Sequence, residues 1–79
     1  MPAANQPLTS LQLGGGGTVS EINLPPEHRR RLQEMGLLIG THLQLVRFAP
    51  LGDPVEIKVR GYHLTLRRQD ADQILLQPQ

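Results

Sequence analysis

Two short runs in which apolar and polar residues alternate constrain the fold of this chain most strongly. In both runs, over residues 55–59 and 64–67, every second residue is Val, Ile or Leu. A period of two is typical of half-buried strands. The runs are separated by Gly61 and Tyr62, and a glycine at the first central position suits a two-residue type II′ turn. The pattern therefore predicts an antiparallel hairpin.

This turn also predicts the register of the hairpin. Apolar residues face apolar residues on one side, whereas on the other side opposite charges meet, which stabilises cross-strand pairs. The predicted pairs are Val59–Leu64, Ile57–Leu66, Lys58–Thr65 and Glu56–Arg67.

The composition limits the chain to one small domain. Its 79 residues are enough for a single core, which at this size buries only about 60% of the surface of the unfolded chain. The formal net charge of +1 argues against a nucleic-acid footprint, which normally needs a clearly basic face. Because cysteine is absent, neither disulfides nor thiolate metal sites can supplement the core.

The sequence also predicts where the domain begins and in which compartment it works. No apolar run approaches the roughly 18 residues of a membrane span, and the polar start lacks the regions of a signal peptide. A cytoplasmic protein is therefore predicted. Residues 1–7 are expected to form a disordered tail, and residues 8–77 a single domain.

The first half of the chain predicts two strands that flank a glycine run. Three leucines, at positions 8, 11 and 13, suit a short first strand, and residues 18–22 suit a second. The four glycines at 14–17 could suggest a phosphate-binding loop, but no Lys-Ser/Thr pair follows them. A flexible turn between strands is the favoured interpretation.

A short helix is predicted over residues 25–35. Proline suits its first turn, and Glu27 complements the positive end of the helix dipole. Gly36 follows as a left-handed residue, behind which Leu37 can pack back as in a Schellman motif. The predicted apolar stripe is His28, Leu32 and Met35.

The remaining elements complete a small β domain. A turn with Gly40 at positive φ should precede a strand over 42–48, in which a phase switch between Leu45 and Val46 predicts a β-bulge. A loop over 50–54, a helical turn capped by Asp70 and a last strand over 74–77 follow. The predicted fold class is mainly β with one short helix, as a small SH3-like five-stranded barrel.

Three blocks of this sequence together resemble the FeoA family. They are residues 31–41 (RLQEMGLLIGT), 49–54 (APLGDP) and 59–67 (VRGYHLTLR), and they occur in the family's order. Two departures are Ile39, where the family often has proline, and the long glycine run. The resemblance implies an SH3-like accessory protein of bacterial ferrous-iron uptake, without chemistry or cofactor of its own.

The resemblance also implies a partner. FeoA proteins accompany FeoB, a membrane ferrous-iron transporter with a cytoplasmic GTPase domain, so a location peripheral to the inner membrane is implied. A related domain forms the C-terminal part of iron-dependent repressors, and the alternative hypothesis is therefore a module that binds nucleic acid or a regulator. Exposed edge strands leave self-association open.

The residues themselves predict neither a metal site nor a catalytic site. His28, His42 and His63 are the three imidazoles, and no two of them have the spacing of metal ligands on one helix face. His28 with Glu27 or His63 with Asp53 could meet weakly, so direct Fe(II) binding stays a minor hypothesis. No serine or threonine is adjacent to a base by motif.

Partner binding is the function for which candidate residues can be named. Leu51 lies between turn-forming residues in the loop Leu51-Gly52-Asp53, where an apolar side chain either contacts a partner or folds back onto the domain. Tyr62 in the second turn offers the same two interpretations. The arginine cluster Arg29-Arg30-Arg31, of which Arg29 and Arg30 are the candidate contact residues, is either a solvated helix face or a contact for an acidic protein surface, lipid headgroups or a GTPase.

Overall fold

Six antiparallel strands form one sheet, with a helix beside it, in the computed structural model of this chain, which describes residues 5–78. Along the sheet the order is β1-β6-β2-β3-β4-β5, so β1 and β5 lie at its two edges. The elements are β1 (Gln6–Pro7), a 3-10 turn (Leu8–Ser10), β2 (Gly16–Ile22), α1 (Pro26–Glu34), β3 (His42–Phe48), β4 (Val55–Val59), β5 (Tyr62–Leu66), α2 (Arg68–Ala71) and β6 (Ile74–Pro78).

The mainly β class with one short helix is confirmed, with two corrections to the predicted barrel. Within the described residues the edge strands β1 and β5 do not pair with each other, so the sheet is not closed. The sheet also has a sixth strand, because Gln6 and Pro7 pair with Leu76 and Leu75 of β6. The tail predicted over 1–7 is therefore wrong at Gln6 and Pro7, and its residues 1–4 lie outside the described part.

The hairpin of β4 and β5 is present with the predicted apolar face, but its register is shifted by two residues. Val59 lies opposite Tyr62, Ile57 opposite Leu64 and Val55 opposite Leu66. The turn consists of Arg60 and Gly61, whose φ angles of 50° and 88° are those of a type I′ turn. The predicted turn fails because Tyr62 belongs to the strand.

A β-bulge interrupts β3 where the sequence predicts it. Leu45 lies opposite Ile57 and Arg47 lies opposite Glu56, so Val46 is the extra residue of β3. The bulge turns Arg47 toward solvent on the same side as Glu56. It explains why the apolar residues change face in mid-strand.

The N-terminal segment departs from the sequence prediction in two places. Leu8 begins a 3-10 turn rather than a strand, because Leu8 and Leu11 both point into the core while Leu13 is exposed. The glycine run is only partly a turn, since Gly16 and Gly17 belong to β2. A Cβ at Gly17 would lie 2.7 Å from the carbonyl oxygen of Gln77, so this approach of β2 to β6 requires glycine.

The helix α1 ends as its sequence predicts. Gly36 has φ 91°, and the Leu37 N–H donates to the Leu32 carbonyl at 2.9 Å, which is the Schellman bond. Leu37 is fully buried. Of the predicted stripe, Leu32 is buried and Met35 partly buried, but half of the His28 side chain is exposed.

The core lies between the sheet on one side and the 3-10 turn and α1 on the other. Its fully buried side chains are mostly from the strands: Leu8, Val19, Leu37, Leu43, Leu45, Val55, Ile57, Val59, Ala71, Ile74 and Leu76.

The type I′ turn makes a prediction that separates the observed register from the predicted one. Arg60→Asn should raise the free energy of unfolding by about 0.5–1 kcal/mol, because asparagine tolerates a left-handed conformation that costs arginine about that much. Gly61→Ala should lower it by about 1 kcal/mol. Urea unfolding of both variants measures these changes. A type II′ turn at 61–62 would give no gain for Arg60→Asn.

Candidate partner-binding surface

The loop over residues 50–54 holds an apolar side chain in solvent on a well-fixed turn. At its base the Ala49 N–H donates to the Pro54 carbonyl at 3.0 Å, and inside it the Gly52 N–H donates to the Ala49 carbonyl at 2.7 Å. Gly52 has φ 87°, which favours glycine at this position. Leu51, at the tip, is 97% exposed. Leu51 therefore does not fold back onto the domain.

Asp53 fastens this loop to α2. Its carboxylate oxygen Oδ1 accepts the Arg68 N–H at 3.0 Å, and so it satisfies an amide in the first turn of the helix. The sequence predicts Asp70 as the capping residue, which is wrong because Asp70 lies inside α2. The Arg68 guanidinium also lies over the Phe48 ring, 5.2 Å from its centre. The start of α2 is thus held against both the loop and β3.

A contact between the two helices brings the arginine cluster next to α2. His28 Nδ1 of α1 lies 3.6 Å from Asp70 Oδ1 of α2. Arg29 and Arg30 follow His28, are exposed, and form no ion pair among the described residues. The helix α2 therefore contacts both the loop and the first half of α1.

Tyr62 connects the hairpin to the other end of α1. Its hydroxyl donates to the carbonyl of Met35, the residue that ends the helix. Gly36 leaves room for this hydroxyl, which a Cβ there would meet. Tyr62 is still 41% exposed. It therefore covers the hairpin and also presents part of its ring to solvent.

An ionic cluster occupies the exposed face of the sheet. Glu56 accepts a hydrogen bond from Arg47 Nε at 3.1 Å, and its other oxygen lies 2.8 Å from His63 Nδ1. His63 and Arg47 together hold the pKa of the Glu56 carboxyl below its ordinary value. The sequence predicts a weak pairing of His63 with Asp53. This pairing is wrong, because the carboxylate beside His63 is that of Glu56.

The remaining chemistry of the described residues is limited. Among residues 5–78 there is no group of three or more His, Asp or Glu side chains that could hold a metal ion. His28 is next to Asp70 rather than Glu27. None of the helices over 5–78 has the length and apolar character needed to cross a membrane.

A groove between α1 and β5 is a feature that the sequence does not predict. It has a volume of about 230 Å³, and the side-chain contact between His28 of α1 and Asp70 of α2 lies at one end. Its lining residues come from two parts of the chain, 28–35 and 65–70, that are distant in the sequence, so no local pattern could indicate it. The lining consists of His28, Arg31, Leu32, Met35, Thr65, Leu66, Arg67 and Asp70.

Comparison with known proteins identifies similar sequences and structures. The family model described as FeoA domain matches residues 6–78. An Fe(2+) transport protein A/Fe(2+) transporter FeoB fusion protein of Porphyromonas gingivalis is 34% identical over 67 residues, which are 85% of this chain. The chain spans only 8% of the length of that curated relative.

Solved structures have the same fold. The FeoA protein from Chlorobium tepidum superimposes with a TM-score of 0.84 at 40% identity, over 90% of this chain and 69% of that one. This likeness confirms the small SH3-like architecture. A manganese-dependent transcriptional repressor superimposes with a TM-score of 0.87 over the whole of this chain and 44% of its own. Its identity is 18%, so this likeness concerns the fold alone.

The bond from Asp53 to α2 predicts a matched pair of stability changes. Asp53→Ala should lower the free energy of unfolding by about 1 kcal/mol, because the Arg68 N–H loses its acceptor. Asp53→Asn keeps an acceptor oxygen and should cost much less. Urea denaturation followed by circular dichroism measures both. Equal losses in the two variants would show that the charge of Asp53, and not its hydrogen bond, is what matters.

The pKa of Glu56 predicts a pH-dependent part of the stability. Because the folded state lowers this pKa below its ordinary value of 4.5, the ionised carboxylate stabilises the fold above that pH. The contribution is lost as the pH falls through the lowered pKa. The stability difference between the wild type and Glu56→Gln should therefore be largest near neutral pH and shrink in acid. Unfolding midpoints from pH 3 to pH 7 measure it, and a difference constant across that range would contradict the assignment.

Proposed function

Since the chain belongs to the FeoA family, we propose that it is a non-enzymatic accessory protein of bacterial ferrous-iron uptake. In this role it binds the cytoplasmic region of a FeoB-type GTPase transporter and modulates the activity or assembly of that transporter. The observation that carries the proposal is the family match over residues 6–78. The proposed location is the cytoplasm, at the inner membrane through the partner.

The fused relative supports the choice of partner. In the Porphyromonas gingivalis protein a segment similar to this chain is named together with FeoB in one polypeptide. Fusion gives two modules a high effective concentration for each other, which is useful when they work in contact. Where the two modules are separate polypeptides, a non-covalent interface has to supply that proximity.

The loop of Leu51, Gly52 and Asp53 is the proposed centre of this interface. Leu51 is almost fully exposed, and an apolar side chain of this kind can act as an anchor that fills a pocket on a partner. The turn is fixed through Gly52 and Asp53, so little conformational entropy is lost when Leu51 is buried.

Arg29 and Arg30 are proposed to extend the interface from the loop along α1, and Tyr62 to extend it to the far end of the hairpin. The two arginines are exposed on α1 and favour an acidic surface on the transporter. The exposed part of the Tyr62 ring can contribute apolar contact area at low entropic cost. Charges at the rim of an interface mainly change the association rate, whereas buried anchors change the affinity.

Binding measurements with point variants test the proposal. Leu51→Asp should weaken binding to the purified cytoplasmic region of the FeoB-type transporter from the same organism by about 10-fold or more, because it removes a buried anchor. Leu13→Asp is the matched control, since Leu13 is also an exposed leucine but lies outside the loop. Isothermal titration calorimetry gives both dissociation constants.

The arginines have a different expected signature. Arg29→Glu together with Arg30→Glu should weaken binding less than Leu51→Asp and should remove most of its dependence on salt. If the wild-type chain does not bind the transporter region, the proposed function is wrong. If Leu51→Asp binds as well as Leu13→Asp, the loop is not the interface.

A further inference from the structure

The groove between α1 and β5 has two walls that are fixed at both of its ends. At one end the Tyr62 hydroxyl of β5 donates to the Met35 carbonyl of α1, and at the other His28 of α1 pairs with Asp70, which follows β5. The helix therefore lies alongside the strand in the opposite direction. From His28 to Met35 a helix rises roughly 10 Å, which is the length of about three extended residues.

The strand that forms one wall has unused hydrogen-bonding groups. β5 pairs with β4 on one side, and no strand of the described residues pairs with its other side. In a two-residue hairpin the first pair, here Val59 and Tyr62, exchanges hydrogen bonds. Hydrogen-bonded and non-hydrogen-bonded pairs alternate along antiparallel strands. The N–H and C=O groups of His63 and Thr65 therefore point away from β4. Thr65 lines the groove, so this edge is open to another strand there.

The charges of the groove favour an acidic occupant. Leu32, Met35 and Leu66 supply an apolar floor. Of the charged lining residues, Asp70 is already paired with His28, whereas Arg31 and Arg67 form no ion pair among the described residues. Two guanidinium groups beside an apolar floor suit a carboxylate, which can accept hydrogen bonds from both.

We propose that this groove binds an extended acidic segment of a partner protein, which adds to the sheet as a strand beside β5. The main chain of the segment bonds to the outward groups of His63 and Thr65. One apolar side chain of the segment packs on the floor, and a carboxylate two residues away, on the same face, lies between Arg31 and Arg67. The site is separate from the Leu51 loop and goes beyond the transporter contact proposed above.

Two other occupants fit less well. A second copy of this chain, paired through its own β5, would bring the Arg31 and Arg67 guanidinium groups of the two copies close to one another. A proline-rich segment lacks amide groups for the strand ladder, and the chain has one phenylalanine and one tyrosine with which to build an aromatic groove. An acidic, non-proline segment satisfies both the strand edge and the charges.

A titration with a blocked peptide tests this site on the full chain. The probe is acetyl-Thr-Leu-Thr-Glu-Thr-amide, in which leucine and glutamate share one face of a strand. Nuclear magnetic resonance of the nitrogen-15-labelled protein should show amide shifts at His63, Thr65 and the groove face of α1. A peptide with lysine in place of glutamate, and one N-methylated at alternate residues, should each bind at least about 10-fold more weakly.

Substitutions in the protein provide a second test of the same site. Arg31→Glu together with Arg67→Glu should abolish binding, whereas Lys58→Glu should leave it unchanged, because Lys58 is an exposed cation of β4 outside the groove. Equal binding of the N-methylated or lysine peptide would overturn the proposal, as would shifts confined to other surfaces. A concentration-dependent dimer with its interface at β5, measured by sedimentation, would make a second copy the occupant and also overturn it.

Discussion

The packing of two neighbouring rows of side chains, one from β3 and one from β4, is the interaction on which the rest of the sheet depends. Leu43 and Leu45 lie opposite Val59 and Ile57, and all four are fully buried. Burying one such side chain stabilises a fold by about 1.5–3 kcal/mol, and the net stability of a small domain is only about 5–15 kcal/mol. β2 joins the sheet through β3, and β5 joins it through β4. Both flanking strands therefore depend on this central pair.

The bulge at Val46 links this core to the candidate partner surface. Beyond it, β3 continues with Arg47 beside Glu56 and Phe48 opposite Val55. Phe48 then supports the Arg68 guanidinium at the start of α2, and α2 in turn is held by Asp53. A local irregularity in one strand thus determines where the loop that exposes Leu51 is anchored. The exposed loop is fixed because it is built on buried structure.

Much of this fold could be predicted from local pattern. Alternation predicts β3, β4 and β5 and their buried faces, and Gly36 with Leu37 predicts the end of α1, because these signals act between residues close in the sequence. The hairpin turn could not be predicted, since arginine at positive φ contradicts the local preference of Arg60. The strand of Gln6 and Pro7 has two residues, too few for any periodicity.

The candidate sites, too, combine features that local sequence predicts with features that depend on contacts between distant residues. The turn formers on either side of Leu51 predict that it lies at a loop tip, but they leave open whether its side chain is exposed or folds back onto the domain. The bond from Asp53 to Arg68 and the contact of His28 with Asp70 cross 15 and 42 positions, so spacing in the sequence carries no signal for them. The groove beside β5 depends entirely on such long-range contacts. Its residues could be recognised only when the helix and the edge strand were seen together.

The bond between Tyr62 and Met35 gives the chain an intrinsic optical label. The sequence contains one tyrosine and no tryptophan, so nearly all its absorption near 280 nm comes from this single ring. That ring lies where the hairpin and the end of α1 meet. Any event that separates the helix from the edge strand changes the environment of the phenol. The spectrum of the unlabelled protein therefore monitors one specific contact rather than an average over the fold.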